Sequence, residues 1–341
     1  MTAGVQPAQP LACLGAVVIG RNEGERLRRC LASLGARVER LVYVDSGSTD
    51  DSVGLATQMG ADVVELDSTQ PFTAARGRNA GLARLRVIEP KLELVQFVDG
   101  DCEVAPGWLD QATQAMLPDP TVAVVCGRRR ERHPEATIYN RLCDIEWNTR
   151  VGFADACGGD ALMRIAPLVE VGGYDESLIA GEEPELCLRL RQRGRRIQRI
   201  DAEMTLHDAN ITRFGQWWQR TLRSGHAYAE GFALHRREPG RFCAKQVRSN
   251  YVWGGLVPLM ALALFWVSPL WAGLVLAAYG LLVARVFLAA RRRGFSRRDA
   301  RLFACFVALG KFPSALGQLR YLWHRLRGRR SSLIEYKGAE S

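Results

Sequence analysis

No charged residue occurs between Val252 and Ala284, a run of 33 residues. One helix needs only about 20 apolar residues to cross a bilayer, and a buried core helix has no use for more. Ser268-Pro269 lies near the middle of the run and marks a turn. Two helices are therefore expected, Val252–Val267 and Leu270–Ala289, paired as a transmembrane hairpin over residues 250–290. The first is short for a full crossing, so a tilted or shallow hairpin fits as well. A third apolar segment, Leu302–Trp323, carries Lys311, Pro313 and Arg320. It suits a basic helix within residues 296–330 that lies in the membrane interface or spans. The competing reading, three core helices of a soluble protein, lacks enough other surface to cover them.

Charge follows the same division. The chain carries a formal +10, yet Arg285 to Arg330 alone hold thirteen Lys/Arg against one acid, Asp299. The remainder is thus close to neutral, at about −2 (10 − 12). Basic residues that flank apolar segments mark cytoplasmic membrane borders rather than a nucleic-acid surface. Lys245 and Arg248 before the hairpin and Arg291, Arg292 and Arg293 after it put both ends in the cytoplasm. The expected location is a multi-pass inner membrane protein with its N-terminal domain cytoplasmic and no nucleic-acid partner. The nine cysteines are scattered, without a CxxC, and are expected as reduced thiols. No basic start followed by an apolar core opens the chain, so a signal peptide is not expected. Residues 1–12 form a disordered lead-in and 331–341 a tail.

Within residues 13–240 strand and helix patterns alternate. Leu14–Ile19, Leu41–Val44, Asp62–Leu66 and Leu92–Val98 have strand character, separated by helical spacing in Glu23–Leu34 and Ala74–Leu85. Repeated βα units imply an α/β fold with a mostly parallel sheet flanked by helices. Ligands of such sheets collect beyond the carboxyl ends of the strands, and Asp45 and Asp99 both sit there. From Pro118 to Asp208 the pattern is less regular. Phe214–His235 is expected as one amphipathic helix.

The strongest constellation is Val98-Asp99-Gly100-Asp101-Cys102-Glu103. Two carboxylates that straddle a glycine can converge on one hard cation, Mn²⁺ or Mg²⁺. Such a cation stabilises a departing diphosphate. Ser46–Asp50 forms a turn and helix cap after the second strand, with Asp45 directed at a ligand. No GxGxxG follows the first strand, which argues against a dinucleotide-binding protein.

Together, Asn22-Glu23, VDSGSTDDS (44–52), ARGRNAG (75–81), VDGDCE (98–103) and GEEPELCLRLRQRG (181–194) resemble the family 2 glycosyltransferases. The resemblance covers roughly residues 14 to 235. It implies a GT-A fold, a nucleoside-diphosphate-sugar donor, and inverting transfer. The membrane anchor suits a lipid-linked or other membrane-associated acceptor. Carried over by motif, Glu23 and Asp45 would contact the nucleoside and Asp99 the ribose or sugar. Asp101 would be the principal metal ligand, with Asp99 and His207 completing the metal set. Arg76 and Arg78 match positions near the donor phosphates. Cys157-Gly158-Gly159-Asp160 matches a loop near donor sugar and acceptor, with Gly159 against the donor.

The family's Glu-Asp pair, which supplies the base, is matched by Glu182-Glu183, so either carboxylate can take the acceptor proton. Gln219-Arg220-Thr221-Leu222-Arg223 partly matches the QxxRW motif of processive members, with Ser224 in place of Trp. Arg220 and Arg223 remain candidates for donor phosphate. Two alternatives stay open: a nucleotidyl- or phosphosugar-transferase on a similar sheet, and a non-catalytic membrane scaffold.

Overall fold

A computed structural model describes residues 13–238 and 241–328; the expected lead-in and tail lie outside them. The chain forms two compact units. One comprises residues up to Arg130 with Thr149–Asp175 and Glu183–His207; the other comprises Glu131–Asn148, Glu176–Glu182 and Asp208 onward.

The first unit is built on a sheet of strands β1 (Leu14–Gly20), β2 (Arg40–Asp45), β3 (Asp62–Glu65), β4 (Leu94–Asp99), β5 (Cys102–Val104), β6 (Val122–Glu131), β7 (Gly152–Ala154), β8 (Ala161–Arg164) and β9 (Arg196–His207). The order is β3-β2-β1-β4-β8-β6-β9-β5, with β7 paired to β9. Strands β1 to β4 are parallel. β8 runs antiparallel to β4 and β6, as do β5 and β7 to β9. The sheet is therefore mixed rather than mostly parallel. Its antiparallel half comes from 102–207, where the βα rhythm is lost.

Helices α1 (Glu25–Leu34), α2 (Ser52–Gln58), α3 (Ala74–Ile88) and α4 (Trp108–Met116) belong to this unit. α1 buries Leu27, Cys30, Leu31 and Leu34, one face at the i, i+3, i+4, i+7 spacing of an amphipathic helix. It begins two residues later than its spacing suggests. Asn22 and Gly24 both hold positive φ, at 55° and 49°, which keeps the preceding loop out of the helix. α3 starts at the cap Thr73, whose hydroxyl accepts from Arg76 N at 3.2 Å. Its glycines set how closely it lies on the sheet. A Cβ at Gly81 would stand 2.3 Å from Val17 Cγ1, and one at Gly77 3.2 Å from Ile19 Cγ2. The ARGRNAG motif is thus a packing face that delivers Arg78 to the end of the parallel strands.

The second unit contains α5 (Ile138–Glu146); α6 (Ile165–Glu170) and α7 (Glu182–Gln192) fall in the first, save Glu182. It continues with α8 (Phe214–Leu234), α9 (Ala244–Tyr251), a π-turn (Val252–Leu256), α10 (Val257–Phe265), α11 (Pro269–Arg292), α12 (Arg297–Leu309) and α13 (Lys311–Leu326). The turn at Ser268-Pro269 is present, with the proline opening α11. The tyrosine hydroxyl of Tyr279 donates to the carbonyl of Trp253 across the hairpin. The first arm, 252–265, rises about 20 Å at 1.5 Å per residue, less than the roughly 30 Å of a hydrocarbon core.

Two stretches, Pro269–Arg292 and Arg297–Leu326, are long and apolar enough to cross a membrane. The first has few buried residues, with Leu270, Trp271 and Leu281 turned outward. The second is nearly half buried. It is longer than the Leu302–Trp323 apolar core alone suggests, because Ser296 caps the amide of Asp299 at 3.0 Å. α13 lies tightly on α8. A Cβ at Gly317 would stand 2.0 Å from Leu222 O and one at Gly225 2.2 Å from Ser314 O, the close backbone approach that small residues allow.

Candidate active site

The carboxyl ends of β1, β2 and β4 bring three loops together. Asn22 ties two of them: its side-chain oxygen accepts from Thr49 N at 2.7 Å, and its own amide donates to Ser48 Oγ at 2.9 Å. Asp45, expected to face a ligand, serves this turn. It is buried, accepting from Tyr43 OH at 2.9 Å, Gly47 N at 2.9 Å and Ser48 N at 2.7 Å. A carboxylate with that many donors anchors a loop at the strand end. Glu23 pairs with Arg26 at 3.0 Å and lies against Gly100, where a Cβ would meet Glu23 Cγ at 3.2 Å.

Asp99 ends β4 and meets two guanidinium groups, Arg78 at 2.9 Å and Arg129 at 3.2 Å. Burial by itself would raise its pKa, but the two arginines outweigh that and hold the carboxyl below its usual range. Arg78 is almost fully buried and reaches Glu183 Oε1 with its other nitrogen, at 3.1 Å. It also sits 5.5 Å from the Tyr174 ring centroid. Asn79 fixes that ring by pairing with both the N–H and the C=O of Tyr174, each at 2.9 Å. A single side chain therefore joins Asp99 to Glu183. Glu182, the other candidate base, is buried at 5 % exposure.

Asp101 and His207 also meet, although the sequence separates them widely. The antiparallel pairing of β5 and β9 sets Cys102 opposite His207, and His207 Nε2 lies 3.3 Å from Asp101 Oδ2. Asp101, Cys102 and His207 offer donor atoms within 4.8 Å of one another. Burial, then the charge of Asp160, push the Cys102 thiol well up, and its Sγ donates to Asp101 Oδ1 at 3.6 Å. The remaining carboxylate and imidazole form a hard-to-borderline donor set that fits a divalent cation such as Mn²⁺.

Sequence reasoning missed the support behind these groups. Asp160 is fully buried and accepts from Asp99 N at 3.0 Å and Thr205 Oγ1 at 2.6 Å, and it pairs with Arg129 at 2.7 Å. The signal was the run Arg128-Arg129-Arg130 inside a strand, which requires acids nearby. Gly159 is the adjoining contact. A Cβ there would stand 2.6 Å from Arg78 Nη2 and 2.8 Å from Asp99 Oδ2. Gly159→Ala is expected to displace that pair and cost about 1–3 kcal/mol as overpacking does, read as a lowered denaturation midpoint. An unchanged midpoint would contradict the packing.

The three other arginines expected near donor phosphate each have a protein partner. Arg76 ties its own loop, donating to the carbonyls of Asp67 at 2.8 Å and Gln70 at 3.1 Å. In the second unit Arg220 pairs with Glu146 at 2.8 Å, and Arg223 donates to Ile179 O at 3.0 Å. Among the described residues the cysteines form no disulfide, as expected.

A mixed α/β sheet with paired carboxylates and a histidine at one end is the architecture of GT-A glycosyltransferases. Residues 16–157 match the model of glycosyl transferase family 2. It is 28% identical over 231 residues to a pre-mycofactocin glycosyltransferase of Mycobacterium tuberculosis, covering 62% of this chain and 46% of that protein. It is also 28% identical over 225 residues to the succinoglycan biosynthesis protein ExoA of Rhizobium meliloti, covering 63% and 67%. The chain thus spans about half the length of the mycobacterial relative. Among solved structures, the mannosyltransferase PcManGT from Pyrobaculum calidifontis in complex with GDP-Man and Mn²⁺ shares the fold. That likeness has a TM-score of 0.58 at 17% identity, over 92% of this chain and 88% of that one.

Proposed function

We propose that the chain transfers a sugar, with inversion, from a nucleoside-diphosphate-sugar to a lipid-linked or other membrane-associated acceptor. The observation that carries this reading is the Arg78 guanidinium, bonded to Asp99 at 2.9 Å and to Glu183 at 3.1 Å. It sets a donor-side acid and an acceptor-side carboxylate on either side of one planar group. An inverting displacement needs a base on the acceptor side that takes the hydroxyl proton as it attacks, and Glu183 is the candidate for it.

Asp101 and His207 would hold the metal, with Asp99 beside them; the bound cation supplies charge neutralisation for the departing diphosphate. A carboxylate with an imidazole favours Mn²⁺ over Mg²⁺. Glu183, on Arg78, is the base that takes the acceptor hydroxyl proton, and Glu182 is a buried support. The turn held by Asp45 and Asn22, together with Glu23, shapes the nucleoside side. Gly159 keeps backbone close to Arg78 and the donor.

The catalytic domain is 13–240, anchored by the hairpin 250–290 and the basic segment 296–330. The basic flanks support a position at the cytoplasmic face of the inner membrane. The relatives named for glycosyl transfer and the GDP-Man and Mn²⁺ of the fold neighbour support the donor class.

The full chain in detergent, given Mn²⁺ or Mg²⁺ and a panel of nucleotide-sugars, is expected to release free nucleoside diphosphate from at least one. Asp101→Ala is expected to abolish the dependence on metal concentration. Release of nucleoside monophosphate instead would mark cleavage at phosphorus and favour a phosphosugar transferase. No release from any donor would favour the scaffold.

A further inference from the structure

We propose that the second unit carries a binding site for a phosphate-bearing lipid headgroup, built on Lys311 and Asn250. These residues line a cavity of about 190 Å³ formed by α5, α8, α9, α12 and α13. Whole-ligand pockets usually run to about 300–1,000 Å³, so this one suits a headgroup whose tail continues outside. Its walls are mixed: Leu142, Trp217, Phe303, Phe306 and Val307 line it beside polar side chains such as Gln246.

The polar groups in it are mismatched in one direction. Lys311 is half-buried and donates to Asn250 Oδ1 at 3.2 Å. Among the described residues it has no carboxylate within ion-pair distance. The one acid that lines the cavity, Glu146, is taken by Arg220 at 2.8 Å. Asn250 is only 3 % exposed, and its Nδ2 is buried with no acceptor. Its oxygen faces Lys311, so the unpartnered group is a donor. A buried donor without an acceptor is rare and costly, and a part-buried cation without a counter-ion adds to that cost. Both deficits are met by one anion with several acceptor oxygens, as a phosphate offers.

Local backbone supports a built site. The π-turn Val252–Leu256 follows directly after α9, which ends one residue beyond Asn250, and such turns often occur at functional positions. A Cβ at Gly254 in that turn would stand 2.1 Å from Lys311 O, so glycine there permits the approach that brings Lys311 to Asn250. The lipid source is favoured by the rest of the unit. α10 and α11 turn Leu259, Leu262, Trp266 and Leu270 outward, which suits a hydrocarbon surround. This inference does not rest on the reading of Asp99, Asp101 and Glu183.

The test uses the full chain in neutral detergent and native mass spectrometry of retained lipid. Phosphatidic acid is expected to be retained at least tenfold over phosphatidylcholine. Lys311→Met should bring it down to the phosphatidylcholine level and Asn250→Leu should weaken it several-fold, while Lys311→Arg and Glu183→Gln keep it. Melting temperatures of each variant separate lost binding from lost folding, and Asn250→Leu carries the comparison if Lys311→Met does not fold. Resistance to displacement by millimolar inorganic phosphate supports the lipid source; displacement supports the phosphate site and assigns it to free phosphate. Equal retention of both lipids by the wild type, or undiminished phosphatidic acid on folded Lys311→Met, would overturn the proposal.

Discussion

Glu183→Gln is expected to lower sugar transfer by about 10²–10⁴-fold, the usual contribution of a positioned general base. The amide is isosteric, and its oxygen can still accept from Arg78, so the pairing seen at 3.1 Å persists in form. What is lost is the ability to take a proton. The loss should therefore fall on kcat, with KM for the donor nearly unchanged. Glu183→Asp keeps a carboxylate at this position and is expected to retain most of the activity. Glu182→Gln is the control. Its effect should appear mainly as lost stability, because a buried carboxylate is replaced. Full turnover in Glu183→Gln with loss in Glu182→Gln would move the base to Glu182.

Arg129→Met should destabilise the fold by about 3–5 kcal/mol, the cost of stripping a buried charge of its partner. The affected charge is Asp160, fully buried and 2.7 Å from Arg129. The hydrogen bonds from Thr205 Oγ1 and Asp99 N remain, which puts the expected cost toward the low end of that range. Burial opposes the charge on Arg129, yet Asp160 and other acidic neighbours hold its pKa well above normal. The guanidinium is therefore a permanent cation in this network. Its removal also takes one of two positive partners from Asp99. Chemical denaturation measures the first effect, and donor affinity in the variant reports the second. An unchanged midpoint would mean that Thr205 and the Asp99 amide suffice for Asp160.

The parallel half of the sheet was legible because period and punctuation agreed. Apolar runs end at Gly20, Asp45 and Asp99, and the helical face at Leu27, Cys30, Leu31 and Leu34 is buried as its spacing requires. The antiparallel half was not, since strands such as Cys102–Val104 and Gly152–Ala154 are too short to show alternation. Site residues divided along a similar line. Asp101 and His207 were each legible by type, but only the pairing of β5 with β9 joins them. Arg76 and Arg78 are equivalent charges in the sequence. One folds back on its own loop carbonyls, and the other is buried between two acids. Asp160 was legible only as the end of the 157–160 loop and Arg129 only as one of three arginines in a strand; their buried ion pair is visible only once distant segments are neighbours. In the C-terminal part the turn at Ser268-Pro269 follows from proline chemistry alone. The division of the last segment into α12 and α13 at Gly310 did not stand out among the apolar residues around it.

The central claim is that Asp101 and His207 hold a divalent metal that serves sugar transfer. Its most direct measurement is Mn²⁺ binding to the full chain by electron paramagnetic resonance, with and without nucleoside diphosphate, in wild type, Asp101→Ala and His207→Ala. The account predicts one bound Mn²⁺ in the wild type, tightened by the diphosphate, and its loss in both variants together with release of nucleoside diphosphate from the donor. Undiminished Mn²⁺ binding and turnover in folded Asp101→Ala would contradict it.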